Sequence, residues 1–263
     1  MKSINKREER IGEKRRMNCG AIATIIEYRT SKDIDVQFED GYIVANREYA
    51  CFKKGEITNP YYPTVYNIGY LGETTTIDKK GNRLKSYDVW RNMIARCYNP
   101  NIKNYKNYGA MGVTVCEEWH CYANFKKWFN RHYYTLENER VELDKDILVE
   151  GNKIYSPKTC IFAPKRINDL FLDSGYKNKN RELPLGVSKK DNKYEAGISI
   201  KDKTKALGRF NTPEEASQCY QKARSKYILE LAEEYKDKIP NKLYKRLIKI
   251  ATKINLKNYW HRC

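Results

Sequence analysis

Several features that would define the class of this protein at once are absent from its sequence. Its 263 residues contain no C-x-x-C pair, which removes the most specific zinc motif. No apolar run approaches the roughly 18–20 residues that a membrane-spanning helix needs, and the N-terminal residues are charged with no apolar stretch behind them. We therefore expect a cytoplasmic protein that has no membrane partner and forms no lasting disulfides.

Acidic residues are scarce relative to basic ones. The chain has 51 Lys and Arg against 33 Asp and Glu, a formal net charge of +18. The excess is strongest in residues 236–263, which carry nine basic residues and one acid, Asp237. Codon bias in an AT-rich genome and an ordinary solvated surface are two explanations of this excess. The third is a polyanionic partner, for which nucleic acid is the first candidate.

The eight cysteines are spread along the chain, and four of them fall in one middle segment. These four are Cys97, Cys116, Cys121 and Cys160. They could supply four thiolates to a structural zinc ion. The alternative, which we favour, is that they are small buried hydrophobic residues.

Length and residue pattern predict an α+β protein of several domains, since one domain takes about 150 residues. In residues 1–60, apolar and polar residues alternate from Ile34 to Phe38, and a turn follows at Gly41. We expect a small β-barrel-like module there, SH3-like in size. The segment Asn59–Pro63 then predicts a linker.

Residues 64–172 form the second predicted domain. Trp90, Met93, Ile94 and Cys97 recur at helical spacing, and an aromatic stripe from Trp119 to Tyr133 predicts a second helix whose rings form core. A β-hairpin is expected from residues 141–148 and 154–162, followed by a short helix from Arg166.

Residues 183–235 form the third predicted domain, with three short strands and one long helix. Thr212-Pro213-Glu214-Glu215 is a capping box with proline at the first helical position. Residues 236–263 are a basic helical tail with an apolar stripe at Leu243, Leu247, Ile250 and Ile254. This helix either adds sequence-independent affinity for nucleic acid or docks on the surface of the protein.

The third domain resembles the Apetala/ethylene-response-factor type of DNA-binding domain, which also occurs in phage integrases and mobile endonucleases. The matching residues are Leu185-Gly186-Val187, Tyr194-Glu195-Ala196-Gly197-Ile198, Leu207-Gly208-Arg209-Phe210 and Thr212-Pro213-Glu214-Glu215-Ala216, with Tyr220 and Ala223. The resemblance implies a three-stranded antiparallel sheet packed on one helix, with the exposed sheet face in the major groove of double-stranded DNA.

The residues themselves agree with this implication. Val187, Ala196, Ile198 and Leu207 can face the helix, and pleat alternation then turns Ser188, Lys190, Gly197, Ser199 and Lys201 outward. Lysines near the strand ends, together with Arg209, can reach phosphates. The candidate DNA-binding residues are Ser188, Lys189, Lys190, Lys193, Ser199, Lys201, Lys203, Lys205 and Arg209.

The second domain resembles the HNH nuclease-like segment of many phage and prophage proteins. The likeness lies in Arg96-Cys97-Tyr98-Asn99-Pro100, in Tyr108 to Trp119, and in Leu143-Asp144-Lys145-Asp146 through Cys160. It implies a ββα-containing module in which a hairpin and a helix hold one divalent metal, and a histidine beside an aspartate activates water.

This sequence departs from the active pattern at the position of the general base, which is Lys145. An ammonium group with a pKa near ~10.4 is a poor base at neutral pH. Asp144, Asp146 and Asn168 could still hold Mg²⁺, with Lys145 stabilising a phosphate. The alternative, which we favour, is a polar strand end in a structural remnant.

Three functions are therefore expected in order of preference. The first is a phage or prophage DNA-binding protein of the bacterial cytoplasm, acting through the exposed sheet of the third domain. The second is a metal-dependent nicking or homing endonuclease that this domain targets. The third is an RNA-binding or assembly protein.

Overall fold

A computed structural model describes residues 6–172, 182–200 and 203–260. The fold is mixed α and β, as predicted, and it divides into two compact units. The first comprises Met1–Met111 and Val115–Phe129, and the second comprises Gly112–Thr114 and Asn130–Cys263. Across the described ranges, no helix is long and apolar enough to cross a membrane.

The first unit contains a four-stranded antiparallel sheet, several helices and three short 3₁₀ turns. Its elements are α1 (Lys6–Arg10), β1 (Lys14–Arg16), β2 (Ile22–Thr30), β3 (Asp33–Phe38), β4 (Ile43–Arg47), α2 (Tyr49–Lys54), α3 (Lys85–Tyr98) and α4 (Tyr122–His132). The 3₁₀ turns span Lys103–Asn107, Gly109–Met111 and Glu117–His120, and β5 (Thr114–Val115) spans the boundary between the units.

The N-terminal sheet corrects the expectation of a barrel. Its strands follow the order β1-β2-β3-β4, and none of the sheets in the described residues closes on itself. The three-residue β1 and the five-residue β4 remain edges, because each pairs with one neighbour only. The predicted alternation in β3 is confirmed, since Ile34, Val36 and Phe38 are buried. Phe52 of α2 lies in the same core.

The two predicted helices of the middle segment are confirmed as α3 and α4. Trp90, Met93, Ile94 and Cys97 of α3 are all buried. The ring of Trp90 lies 5.4 Å from that of Tyr122, which begins α4. The aromatic stripe is therefore core, as expected, and it presents no row of exposed rings to a ligand.

The second unit begins with β6 (Val141–Asp144), β7 (Ile154–Tyr155), β8 (Ile161–Pro164) and α5 (Lys165–Leu172). The predicted hairpin is only partly correct, because β6 pairs with β8, at the end of the predicted return strand. The chain leaves the strand after Asp144, since that side chain accepts hydrogen bonds from the backbone of Asp146 and Ile147.

A three-stranded antiparallel sheet follows, as predicted, with the order β11-β10-β9. It consists of β9 (Val187–Lys190), β10 (Lys193–Ile200) and β11 (Lys203–Phe210), and two long helices follow it, α6 (Pro213–Glu234) and α7 (Asn241–Trp260). The capping box is confirmed, because Thr212 accepts from the Glu215 amide and the Glu215 carboxylate accepts from the Thr212 amide.

One apolar core joins the elements of the second unit. It includes Ile161 and Ile167 from the β8–α5 segment, Ala196 and Ile198 from β10, and buried residues of both long helices. The predicted helix-facing residues Val187 and Leu207 pack against this core. The sheet therefore has one face covered by α6 and the other face exposed.

Candidate nucleic-acid interface

Strand register assigns each residue of the three-stranded sheet to a face. Residues directly opposite each other in an antiparallel pair point to the same side, and buried Ala196 and Ile198 define the side that contacts α6. The outer face therefore carries Ser188, Lys190, Lys193, Glu195, Gly197, Ser199, Thr204, Ala206 and Arg209.

Five of the nine predicted DNA-binding residues lie on this outer face. They are Ser188, Lys190, Lys193, Ser199 and Arg209. Three others, Lys189, Lys203 and Lys205, lie on the helix side of the sheet. They are opposite Tyr194, Ile200 and Ile198, which share the side of Ala196. Lys201 lies outside the described residues.

A β-bulge decides the position of Arg209. The pairing of β10 with β11 shifts between Ala196 and Gly197, which leaves Leu207 without an opposite residue. Regular strand alternation from Leu207 would put Arg209 on the helix side. The extra residue instead turns the arginine to the outer face, opposite Glu195.

Two carboxylates partly neutralise Arg209. Its Nε donates to the Glu195 carboxylate at 3.2 Å, and its guanidinium lies 4.0 Å from the Asp191 carboxylate. The positive charge on the outer face is therefore concentrated at Lys190 and Lys193, which are opposite each other at the β9–β10 end.

The middle of the outer face is flat. Gly197 is opposite Ala206, and Ser199 shares a hydrogen bond of 3.1 Å with Thr204. Small side chains allow another backbone or a groove wall to approach the sheet closely, and the two hydroxyls can donate or accept hydrogen bonds. Glu195, Thr204 and Ala206 were not among the predicted site residues, although strand alternation could have found Glu195 from Ser199, and Thr204 and Ala206 from the inward-facing Leu207.

Gly186 allows the sheet to pack closely against α6. Gly186 has φ of +75°, and a Cβ there would lie 2.1 Å from the ring of Tyr220. The Gly186 carbonyl also accepts a hydrogen bond from the Gly197 amide at 2.9 Å. The glycine of the Leu185-Gly186-Val187 motif is therefore required by the structure. Only glycine adopts this positive φ easily and leaves room for the Tyr220 ring.

The predicted catalytic residues form a largely buried polar cluster. Asp144 Oδ1 accepts hydrogen bonds from the amides of Asp146 at 2.7 Å and Ile147 at 2.6 Å. The Lys145 ammonium is buried and donates to the Asp146 carboxylate at 2.6 Å and to the Asn152 carbonyl at 2.9 Å. Burial raises the pKa of Asp144 above its ordinary value, and the two backbone hydrogen bonds only partly oppose this shift.

Among the described residues, Asn168 of α5 hydrogen-bonds to Glu142 and not to Asp144 or Asp146. Glu142 was not among the predicted site residues. The Asn168 amide donates to the Glu142 carboxylate at 3.0 Å, while the amide oxygen is buried without a hydrogen-bond partner in the described structure. Glu142 and Asp144 share a face of β6 because they are two residues apart.

These residues do not fit a divalent cation. Asp144 Oδ1 is already used by two backbone amides, and the ammonium of Lys145 lies against Asp146, where it would repel a metal ion. Within the described ranges, no group of three or more His, Cys, Asp and Glu side chains is placed to hold a metal ion. The predicted Mg²⁺ site is therefore not formed by this arrangement.

The four predicted zinc ligands are divided between the two units. Cys97, Cys116 and Cys121 belong to the first unit and Cys160 to the second. Cys97, Cys121 and Cys160 are buried, as expected of small hydrophobic residues. Burial raises the pKa of the Cys116 thiol above its ordinary value.

Comparison with protein-family models, with curated proteins and with solved structures finds no match to this chain in any of the three. The functional assignment therefore rests on the residues and geometry described above.

Proposed function

We propose that this protein binds double-stranded DNA through the outer face of the β9–β11 sheet. The observation that carries the proposal is the exposed, flat strip of small residues with Lys190 and Lys193 at one end. The resemblance to the Apetala/ethylene-response-factor domain and to phage proteins supports it. A DNA-binding protein of phage or prophage type is the function that we infer.

Each part of the face has a distinct role in this proposal. In the proposed complex, Lys190 and Lys193 contact phosphates and position the sheet, whereas the hydroxyls of Ser199 and Thr204 are the groups that read base edges. Arg209 contributes little charge while Glu195 and Asp191 hold it. We therefore expect modest affinity and weak base discrimination.

The test is a selection by the full chain from a random duplex library at about 150 mM salt, where purely electrostatic binding is weakened. An enriched motif is expected. On that motif, Lys190→Ala with Lys193→Ala should reduce the slope of log affinity against log salt by about 1.8, from about 0.9 per phosphate contact. Ser199→Ala should reduce discrimination between sequences with little change in the salt slope.

A matched control lies in the same sheet. Lys203→Ala with Lys205→Ala removes the same charge from the helix side of the sheet, so it should weaken binding less. Equal losses from the two pairs would contradict binding through the outer face. Preferential binding of single-stranded RNA over duplex DNA would instead favour the RNA-binding alternative.

A further inference from the structure

The C-terminal helix α7 presents a row of lysines on the side opposite its buried face. Leu243, Leu247 and Ala251 are fully buried, whereas Lys242, Lys245 and Lys249 are exposed. At about 100° per residue, these three lysines lie within about 60° of one another around the helix. We call them the α7 lysine row.

Nothing in the described structure neutralises the α7 lysine row. The sequence of α7 contains no acidic residue. Among the described ion pairs, Lys253 is the α7 lysine with a carboxylate partner, Glu150 at 3.9 Å, and the three lysines of the row have none. A rise of about 1.5 Å per residue spreads the row over about 10 Å, a length that can follow a phosphate backbone.

The α7 lysine row and the outer face of the sheet point in different directions. Tyr220 of α6 lies against Gly186 on the sheet side, and Ser225 of α6 donates to the Ala251 carbonyl of α7 at 3.0 Å. Five residues along a helix correspond to a rotation of about 140°. The sheet and α7 therefore pack on well-separated sides of α6, and a straight duplex on the outer sheet face does not reach the α7 lysine row.

We propose that the α7 lysine row is a second, sequence-independent phosphate-binding surface that holds a different DNA segment from the one bound by the sheet. The bridging of two segments rests on the proposed function, whereas phosphate binding by the row does not. Charge complementarity favours a duplex. An anionic membrane fits less well, because the apolar face of α7 is already buried and cannot insert into lipid.

A two-duplex capture assay tests the proposal with the full chain. An immobilised duplex carrying the selected motif binds the protein, and a labelled duplex of random sequence is then added. Wild type should retain the second duplex. The variant with Lys242→Ala, Lys245→Ala and Lys249→Ala should lose at least about tenfold in this retention. Its salt slope on random duplex should also fall by about 2.7, from about 0.9 per phosphate contact.

The matched control removes three exposed lysines from the first unit, Lys32, Lys79 and Lys80, and so lowers the net charge equally. It should retain the second duplex like wild type. Alanine favours helix, so the α7 variant should keep its fold, which circular dichroism and a thermal melt verify.

Four results would overturn the proposal, and a fifth separates it from the sheet proposal. An unchanged salt slope in the α7 variant removes the row as a phosphate surface, and an equal loss in the control shows a mere effect of net charge. Failure of wild type to hold a second duplex removes the bridging. Displacement of DNA by vesicles of anionic lipid would identify a membrane as the partner. The variant with Lys190→Ala and Lys193→Ala separates the two proposals. If it binds random and selected duplexes like wild type while the α7 variant does not, the sheet proposal fails and the α7 lysine row is supported.

Discussion

At the scale of single residues, Gly186 shows how one position determines whether the sheet can pack on its helix. Its positive φ disfavours any side chain, and the ring of Tyr220 occupies the space where a Cβ would lie. Gly197 is a contrast in the same sheet, because a Cβ there would meet ordinary van der Waals contacts at 3.5 Å or more.

Gly186→Ala should therefore lower the free energy of unfolding by about 2–4 kcal/mol, from backbone strain and overpacking together. Gly197→Ala, the control, should change it by about 1 kcal/mol or less. Urea unfolding followed by circular dichroism measures both. Equal stability of the two variants would mean that the contact between Gly186 and Tyr220 contributes little.

Asp144 gives a prediction of pH dependence. Burial raises its pKa in the folded state, so its charged form is disfavoured by folding. The resulting cost is absent below the unfolded pKa of about 3.9, develops as the pH rises through the raised folded pKa, and persists above it.

Asp144→Asn removes this charge, and its side-chain oxygen can still accept the two backbone hydrogen bonds. The variant should lose less stability than wild type as the pH is raised from 4 to 8, as measured by urea unfolding at several pH values. The same variant tests catalysis. Mg²⁺-dependent cleavage of the selected DNA that Asp144→Asn abolishes would restore the endonuclease hypothesis.

At the scale of elements, α6 is covered on two sides by different elements. Tyr220 contacts the sheet side, while Ser225 bonds to α7, so two neighbours are needed to cover the helix. The apolar stripe of α6 was predictable from its spacing, but its division between two partners was not, because spacing alone does not identify what covers each part.

A chain that ends at Pro240 should consequently be destabilised in its second unit by more than about 3 kcal/mol, because it lacks the stabilisation that burial of Leu243 and Leu247 contributes. Hydrogen exchange followed by mass spectrometry should show loss of protection in α6 and the β9–β11 sheet. The N-terminal sheet, in the first unit, serves as the internal control and should keep its protection. Unchanged protection in α6 would contradict a structural role for α7.

At the scale of the whole molecule, local patterns predicted elements well and pairings less well. Alternation located β3, and the capping box located the start of α6 at Pro213. The N-terminal sheet stays open because β1 and β4 do not pair with each other, and β6 pairs with β8 and not with β7, which follows it in the chain; local periodicity reports neither fact. A prediction of closure from short strands alone is therefore unreliable.

The candidate site shows the same limit. Counting from Leu207 would have placed Lys203 and Lys205 on the helix side correctly, but the bulge that turns Arg209 outward has no signature in the alternation.

The flat middle of the outer face has a consequence for what such a protein distinguishes. Gly197 and Ala206 present no side-chain hydrogen-bonding group to a base edge. If the sheet binds DNA as proposed, such a surface would respond to groove width and to the ease with which a duplex bends, both of which vary with sequence. Preferred targets would then share a common deformability while differing in base sequence. A consensus motif, which scores each base separately, would understate this selectivity.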